Sequence, residues 1–538
     1  MSMRLLLAGA LALALAAPAY ADAIKQGGTM TVTFKDDMAT LDPAIGYDWQ
    51  NWSIIKLLFS RLMDYQPGTT NLAPDLAESY DIAPDGLTYT FKLRKGVKFM
   101  NGREVTADDV VYSLNRAVNP KTQSPGAGFY HAIKGYDDVI ASKADKLTGV
   151  TAVDPSTVKF ELSSADATFL HELALNFASV VAKEDVDKWG ADYGHHPAGS
   201  GPYNMTEWTL GQRIVLERNK SFFWPGKPYL DRIVFEIGQE PLVSLLRLQK
   251  GEVDLVGDGI PPAKFVETMN DPEQTKLIVS GPQLQTVYVT MNVEMPPFDD
   301  VRVRKAVNMA VNKDRIIKII NGRAIAANQP LPSRMPGFDK DYKGYPFDPE
   351  QAKGLLKQAG LEKGFDTELY VQNVDPNPRI AQAIQQDLAA VGIRAAIKSL
   401  DQANVIAAGG TEKTAPMIWS GGMAWIDDFP DPSDFYGPIL GCSGAVKGGW
   451  NWSWYCNKDR EAEAQKADAV IDPARQAERY DMWRQIFVKI MDDAPWVPVF
   501  DEVRYTYHSK RIGGDPSLFN DPIQIPINYG AVYATDVQ

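Results

Sequence analysis

The chain has 538 residues and a formal net charge of −13 at pH 7. This acidic balance argues against nucleic acids and anionic membranes as partners, because both are negatively charged. The length exceeds what one ordinary hydrophobic core supports and indicates about three domains.

The N-terminus has the pattern of a secretory signal. Arg4 supplies a charged start, an apolar run extends from Leu5 to Ala17, and Ala19-Tyr20-Ala21 forms a small-residue cleavage site. The run is shorter than the roughly 18 residues that a membrane anchor requires. No cysteine near the cleavage site could accept a lipid. We therefore predict cleavage after Ala21 and a periplasmic protein without a membrane anchor.

Two elements are predicted near the start of the mature chain. Alternating apolar residues indicate a strand over Gly28–Phe34. An aromatic-rich segment with Tyr47 and Trp49 follows, and a helix is predicted over about Ile54–Met63.

The run Leu87–Arg116 predicts a strand, a turn and a helix in that order. Apolar residues occupy every second position from Leu87 to Leu93, as in a half-buried strand. Asn101-Gly102 marks a turn, and Thr106 with Asp109 forms a capping box before an apolar helical stripe. Taken alone, the residues of this run indicate only a structural role.

Strand patterns and amphipathic helices alternate over the rest of the chain, as in an α/β protein. Helices are predicted to begin at Asp299 or Asp300, at Asp348-Pro349 and at Asp472-Pro473. Another helix is predicted over residues 380–388, and the predicted strands cover residues 214–216, 233–237, 286–292 and 393–397.

The segment Met423–Pro432 is the strongest candidate site. It contains an indole, three carboxylates and two prolines, without helix or strand periodicity. This composition is typical of an ordered functional loop. Its chemistry-bearing side chains are Trp425, Asp427, Asp428 and Asp431.

Cys442 and Cys456 are the only cysteines in the sequence. An even pair at short separation in an exported protein predicts a disulfide. Two free buried thiols are the alternative. Metal ligation is disfavoured, because neither cysteine has a CxxC neighbour or a nearby histidine.

The run Leu87–Arg116 resembles the signature of the family 5 extracellular solute-binding proteins, the receptors of ATP-driven importers for oligopeptides, dipeptides and nickel. Residues 199–203, 219–231, 297–302 and 348–352 resemble later family segments in the family's order. The resemblance implies an α/β, bilobed periplasmic-binding-protein fold of class II, cluster C type, with an inserted domain and a ligand cleft between the lobes.

The same resemblance implies domain boundaries. Lobe I would comprise residues 22–70, 196–282 and 509–538, the inserted domain II residues 71–195, and lobe III residues 283–508. Hinge strands are expected near residues 285–292 and 497–507.

The resemblance also implies binding residues. In peptide-binding relatives, a tryptophan followed three residues later by an aspartate places that carboxylate against the ligand's α-ammonium group, and Trp425 and Asp428 match this spacing. Because Asp427 directly precedes Asp428, the match to the family motif is open by one position. A carboxylate in a partly dry cleft gives an ammonium a charge-assisted hydrogen bond. The alternative for Asp428 is a turn acid that bonds its own backbone, a role for which Asp427 and Asp431 are better placed. Apolar walls are expected from Tyr47, Trp49, Trp419 and Trp425.

The resulting prediction is a monomeric periplasmic receptor that delivers short peptides to the permease of an ABC importer, without catalysis or a cofactor. The same receptor could instead carry an opine, an oligosaccharide or a nickel chelate. From another class, a hydrolase could use the cluster of Asp427, Asp428 and Asp431. A metal site at His195-His196 is disfavoured, because the other three histidines lie at no ligand spacing.

Overall fold

The structure, a computed structural model, describes residues 24, 26–523 and 526–536. The predicted signal peptide over residues 1–21 lies outside the described residues. The strands of this part of the chain are β1 (Thr29–Thr33), β2 (Met63–Tyr65), β3 (Leu72–Pro74), β4 (Ala77–Ile82), β5 (Thr88–Leu93), β6 (Val150–Asp154), β7 (Thr157–Glu161), β8 (Tyr203–Thr209), β9 (Arg213–Arg218), β10 (Arg232–Glu236), β11 (Leu255–Val256), β12 (Ile278–Met291), β13 (Ala324–Ala326), β14 (Phe365–Gln372), β15 (Ile393–Leu400), β16 (Met417–Trp419), β17 (Trp496–Tyr507), β18 (Ile512–Gly513) and β19 (Tyr533–Ala534).

The α-helices are α1 (Trp49–Leu58), α2 (Ala107–Val118), α3 (Tyr136–Ile140), α4 (Phe169–Glu172), α5 (Lys183–Trp189), α6 (Pro241–Gln249), α7 (Pro262–Met269), α8 (Pro272–Thr275), α9 (Val301–Ala310), α10 (Lys313–Ile319), α11 (Pro349–Gln358), α12 (Asn377–Ala390), α13 (Gln402–Gly409), α14 (Lys458–Asp468) and α15 (Gln476–Asp493). Short 3-10 helices cover Pro120–Thr122, Ala127–Tyr130, Asn176–Ala178, Gly190–His195, Pro432–Phe435, Pro473–Arg475 and Pro516–Asn520.

Three larger sheets organise these elements. The five-stranded sheet has the order β11-β1-β10-β9-β8, the four-stranded sheet β4-β5-β7-β6, and the six-stranded sheet β13-β17-β12-β16-β14-β15. The five- and six-stranded sheets mix parallel and antiparallel pairs, whereas the four-stranded sheet is antiparallel throughout. Each sheet packs on its own hydrophobic core, which gives the α/β architecture that the sequence predicts.

One strand pair links the five- and six-stranded sheets. β12 and β17 pair antiparallel from Ile278 opposite Tyr507 to Thr290 opposite Trp496, with irregularities between Pro282 and Thr286 and between Val287 and Tyr288. Beyond β17, a single bridge joins His508 to Leu255 of the five-stranded sheet. Both segments that we predict as hinges therefore lie in this pair, and their role as hinges stays a prediction.

The elements predicted over Leu87–Arg116 are confirmed. β5 buries alternate residues, Tyr89, Phe91 and Leu93. α2 begins after Thr106, whose backbone N–H donates to the Asp109 carboxylate at 2.9 Å.

The bounds predicted for the first helix are wrong. The helix covers Trp49–Leu58 instead of Ile54–Met63, because Asp48 caps it by accepting the Asn51 N–H at 2.8 Å. Phe59 is already extended, at φ −124° and ψ 152°. Trp49 therefore lies in the first helical turn.

Caps set the start of the later helices. Asp300 accepts the Arg302 N–H at 2.8 Å before α9, and Asp348 accepts the Gln351 N–H at 2.9 Å before α11. Asp472 caps a 3-10 turn that precedes α15, so that helix begins a turn later than predicted.

Candidate ligand-binding site

The acidic loop, defined here as residues 421–435, follows β16 and is attached to β12. The Gln285 side-chain amide donates to the Ala424 carbonyl at 3.1 Å. The Asp427 N–H donates to the Leu284 carbonyl, also at 3.1 Å. The loop is thereby fixed on the strand that leads to the five-stranded sheet.

Asp434 holds the two residues of the predicted ammonium motif. Its Oδ2 atom accepts the Trp425 indole N–H at 3.1 Å and the Asp428 backbone N–H at 2.9 Å. Asp434 is 2% exposed, and its pKa is raised by burial and by the neighbouring Asp428 and Asp427. One buried carboxyl group therefore fixes the relation between the indole and the backbone of Asp428.

The Asp428 carboxyl group is buried beside Tyr47, which comes from a distant part of the chain. The Tyr47 hydroxyl lies 2.9 Å from each Asp428 carboxyl oxygen, and Asp428 is 8% exposed. Burial raises the pKa of Asp428 to about 7, although hydrogen bonds to Tyr47 and Asp434 act in the opposite direction. In the described chain, no Lys, Arg or His nitrogen lies within 4.0 Å of this carboxyl group. The site can therefore stabilise an added cation.

Asp427 and Asp428 line a cavity of about 310 Å³ that also exposes one face of α1. Trp49, Trp52 and Lys56 occur at helical spacing and all line it. Lys56 pairs with Asp64 at 3.4 Å, and burial lowers its pKa. The cavity thus lies between a helix of the five-stranded layer and a loop of the six-stranded layer.

The predicted disulfide between Cys442 and Cys456 is confirmed. The loop that it closes carries Trp450, which lines the cavity and contacts Trp425 edge to face at 6.0 Å between ring centroids. The loop's other aromatic residues pack inward and are buried: Trp452, Trp454 and Tyr455.

Most of the predicted binding residues meet at this cavity. Those that line it are Tyr47, Trp49, Trp425, Asp427 and Asp428.

Trp419 lies elsewhere, in the core of the six-stranded sheet. It has 0% exposure, and its indole N–H donates to the Asn377 side-chain oxygen at 3.0 Å. Its ring is 5.9 Å from that of Phe500. Trp419 is a core residue in this structure and does not line the cavity.

Asp431 is engaged in a buried ion pair. Arg479 contacts its two carboxylate oxygens at 2.5 and 2.8 Å, and the Ser433 N–H donates to it at 3.0 Å. Burial alone would raise the pKa of Asp431, but Arg479 outweighs burial and holds the pKa below its usual value. Asp431 thus has the turn-acid role that the sequence left open, and it does not line the cavity with Asp427 and Asp428.

Phe429 ties the acidic loop to a third region. Its side chain is 4% exposed and belongs to the core of the four-stranded sheet. Its ring lies 6.2 Å from Phe129 and stacks on His171 at 5.8 Å. Neighbouring residues of one loop therefore contact Tyr47, the four-stranded core and α15.

Several residues of the cavity wall were not predicted from the sequence, among them Trp52, Lys56 and Trp450. Helical spacing from Trp49 would have identified the first two, had the bounds of α1 been right. Trp450 has no local signal beyond its position in the disulfide loop.

His195 and His196 both contact Asp192, at 2.9 and 3.1 Å, on the protein surface. The described residues include no cluster of three or more His, Cys, Asp or Glu side chains that could hold a metal ion. None of the described helices combines the length and apolarity needed to cross a bilayer.

Two mixed sheets linked through the β12–β17 pair, with a cavity between a helix of one layer and a loop of the other, are typical of a bilobed solute-binding protein. The chain belongs to the bacterial extracellular solute-binding proteins, family 5, and the model of that family's middle region matches residues 71–447.

Two relatives and one solved structure illustrate the similarity. The dipeptide-binding protein of Escherichia coli (strain K12) is 36% identical over 476 residues, covering 83% of this chain and 85% of the relative. Heme-binding protein A of Haemophilus influenzae is 33% identical over 503 residues, covering 89% and 87%. The periplasmic binding protein DppA from Helicobacter pylori, solved with the peptide STSA, superposes with a TM-score of 0.79 at 28% identity, covering 95% of this chain and 98% of that one.

Proposed function

We propose that this protein is the periplasmic receptor of an ABC importer and captures short peptides in the cavity described above. Relatives named for dipeptides and di- or tripeptides, and a similar structure solved with a peptide, support this cargo. The observation that carries the proposal is the Asp428 carboxyl group, which is buried, lines the cavity and has no cation within 4.0 Å in the described chain.

In this proposal, Asp428 binds the α-ammonium group that all unblocked peptides share. Tyr47 orients the carboxylate, and Asp427 lines the cavity beside it. Trp49 and Trp425 form apolar walls for side chains. Because the ammonium is common to every such ligand, one site can accept many sequences.

The proposal includes the division into lobes. Lobe I (22–70, 196–282, 509–538), domain II (71–195) and lobe III (283–508) would move about the β12–β17 pair to close on the ligand. Separate cores for the three sheets support this division. The signal peptide would be removed after Ala21, and the monomeric receptor would deliver its cargo to a permease whose ATPase is another chain.

The proposed receptor has no catalytic activity. A hydrolase that used the predicted carboxylate cluster would need Asp431 in the cavity, but both of its oxygens are bound to Arg479. The two remaining acids, Asp427 and Asp428, are adjacent in sequence.

The test is calorimetric titration of Ala-Ala and Ala-Ala-Ala into wild type and Asp428→Asn. Asparagine keeps the side-chain shape but removes the charge, so affinity should fall about 10- to 100-fold, in line with a hydrogen bond to a charged group. N-acetylated peptides should lose affinity for the wild type to a similar extent. Asp192→Asn is the matched control, because it removes a surface acid outside the cavity. Unchanged affinity in both arms would contradict the ammonium site.

The cargo can be tested independently. Mass spectrometry of small molecules released on denaturing the protein purified from its native periplasm should find short peptides of mixed sequence. Release of a single opine, oligosaccharide or nickel chelate would leave the receptor role intact and show that the cargo is not a peptide.

A further inference from the structure

A second cavity, of about 520 Å³, contains no residue of the acidic loop among the described residues that line it. Its walls come from residues 56–67, 73–75, 202, 222–227 and 528–531, which the proposed division assigns to lobe I and to the start of domain II. Lys56 lines both cavities, so the last turn of α1 forms a wall common to both. The volume lies in the range of about 300–1,000 Å³ that is usual for small-molecule sites.

The walls of the second cavity are rich in aromatic side chains. Phe59, Tyr65, Phe222 and Trp224 all line it. Phe59 is 1% exposed, whereas Trp224 is 37% exposed and accessible from solvent. Such walls favour a ligand with a large apolar group, because aromatic rings bury much area on contact.

Three of the charged residues that line the second cavity pair with one another. Arg61 and Lys56 contact the Asp64 carboxylate at 2.5 and 3.4 Å. Burial alone would raise the pKa of Asp64, but the two cations outweigh burial and lower the pKa to about 2. Asp64 therefore already has its cationic partners.

Asp75 is a second acid of this cavity, and it lacks such a partner. Its side chain is 9% exposed, and in the described chain no Lys, Arg or His nitrogen lies within 4.0 Å of its carboxyl oxygens. They accept the Trp224 indole N–H and the Arg61 backbone N–H, each at 3.2 Å, while Arg94 donates to the Asp75 backbone carbonyl at 2.7 Å. Burial raises the pKa of Asp75 to about 6, so the group is mostly ionised at pH 7. A buried carboxylate without a cation is stabilised by an added one.

Lys227 is the unpaired base of the same cavity. Within the part of the chain that the structure describes, no carboxylate oxygen lies within 4.0 Å of its ammonium group, which lies 3.8 Å from the Tyr229 ring centroid. The Lys227 backbone N–H donates to the Trp224 carbonyl at 3.2 Å. Because the Trp224 side chain bonds to Asp75, one residue contacts both the unpaired acid and the unpaired base.

We propose that the second cavity binds a free amino acid with a large apolar side chain. Asp75 binds the ammonium group, Lys227 binds the carboxylate, and Phe222 and Trp224 contact the side chain. An α-amino acid carries both charges on one carbon atom, which suits two charged groups that adjoin the same residue, whereas a peptide separates its terminal charges by at least one peptide unit. The inference goes beyond the proposed function, because it assigns a second ligand to a site that lobe III does not line.

Four probes test this assignment: L-phenylalanine, N-acetyl-L-phenylalanine, L-phenylalaninamide and glycine. Each is titrated calorimetrically at pH 7 into Asp428→Asn, because an amino acid could otherwise use its ammonium group in the first cavity. The titrations are repeated after Asp75→Asn or Lys227→Gln is added to that variant. Matched controls are Asp81→Asn on β4 and Lys220→Gln, which change exposed residues outside the second cavity.

Asp428→Asn should bind one equivalent of L-phenylalanine. Acetylation and amidation should each weaken binding about 10- to 100-fold, since each removes one charge-assisted bond, and glycine should bind more weakly by a similar factor, because it buries no apolar side chain. Asp75→Asn should abolish only the discrimination against the acetylated probe, and Lys227→Gln only the discrimination against the amide. General damage to the fold would not produce this crossed pattern.

Three results would overturn the second site. They are the absence of L-phenylalanine binding to Asp428→Asn, equal affinity for the three phenylalanine probes, and discrimination that persists in both added variants. Lys227 is half-buried and forms no ion pair in the described chain, so its variant decides through the amide if Asp75→Asn fails to fold. Ala-Ala binding to Lys227→Gln alone should match that of the wild type, so the second site and the proposed function can fail independently.

Discussion

Peptide binding should strengthen steeply between pH 5 and pH 7. In the free protein, burial raises the pKa of Asp428 to about 7, so its carboxyl group is protonated at pH 5. An ammonium ligand requires the ionised form, and binding must therefore release a proton. With a free-state pKa of about 7 and a bound-state pKa well below 5, linkage predicts about 50-fold tighter binding at pH 7 than at pH 5. The peptide amine, with a pKa of about 8, stays mostly protonated over this range.

Titration calorimetry in buffers of different ionisation enthalpy measures both quantities. With the Asp428 pKa at about 7, roughly 0.9 proton should be released per peptide at pH 6. Asp428→Asn should bind weakly, with little dependence on pH. The same shift implies that the free protein loses stability as the pH rises from about 4 to 7, because the folded state keeps a proton that the unfolded chain gives up. A pH-independent wild-type affinity without proton release would refute this reasoning.

Three further outcomes are expected. Tyr47→Phe removes a hydroxyl that favours ionised Asp428, so the pH midpoint of peptide binding should move upward; an unchanged midpoint in the same titrations would contradict this role. Arg479→Gln leaves the buried Asp431 without its cation, and urea unfolding should show a loss of about 3–5 kcal/mol in the free energy of unfolding; a loss below about 1 kcal/mol would show that the pair is dispensable. Trp450→Ala removes an aromatic wall, so calorimetry should show a larger loss of affinity for Leu-Leu than for Gly-Gly; equal losses would place the ligand's side chains elsewhere.

Local sequence signals predicted the elements whose ends depend on neighbouring residues. The capping box of Thr106 and Asp109 and the caps at Asp300 and Asp348 each act within three residues. The first helix begins earlier in the chain than predicted, because the Asp48 side chain caps it. Strand order could not be predicted in this way, because β12 and β17 meet across about two hundred residues of chain.

The residues of the candidate site can be divided in the same way, into those that a local motif predicts and those that meet only in the folded chain. Trp425 and Asp428 were found because a short motif contains both. Tyr47 and Asp428 touch across 381 positions, and only the family resemblance placed them together in advance.

The contacts of the acidic loop bear on how such a protein could diversify. Phe429 and Asp431 fix the loop through groups that lie outside the cavity, so its length and register are constrained independently of the cargo. Trp450 and Ile406 also line the cavity, and neither forms a hydrogen bond with Asp428 in the described part of the chain. Substitutions there could change which side chains are accepted while the carboxyl group keeps its place, so new specificities could evolve without rebuilding the charged end of the site.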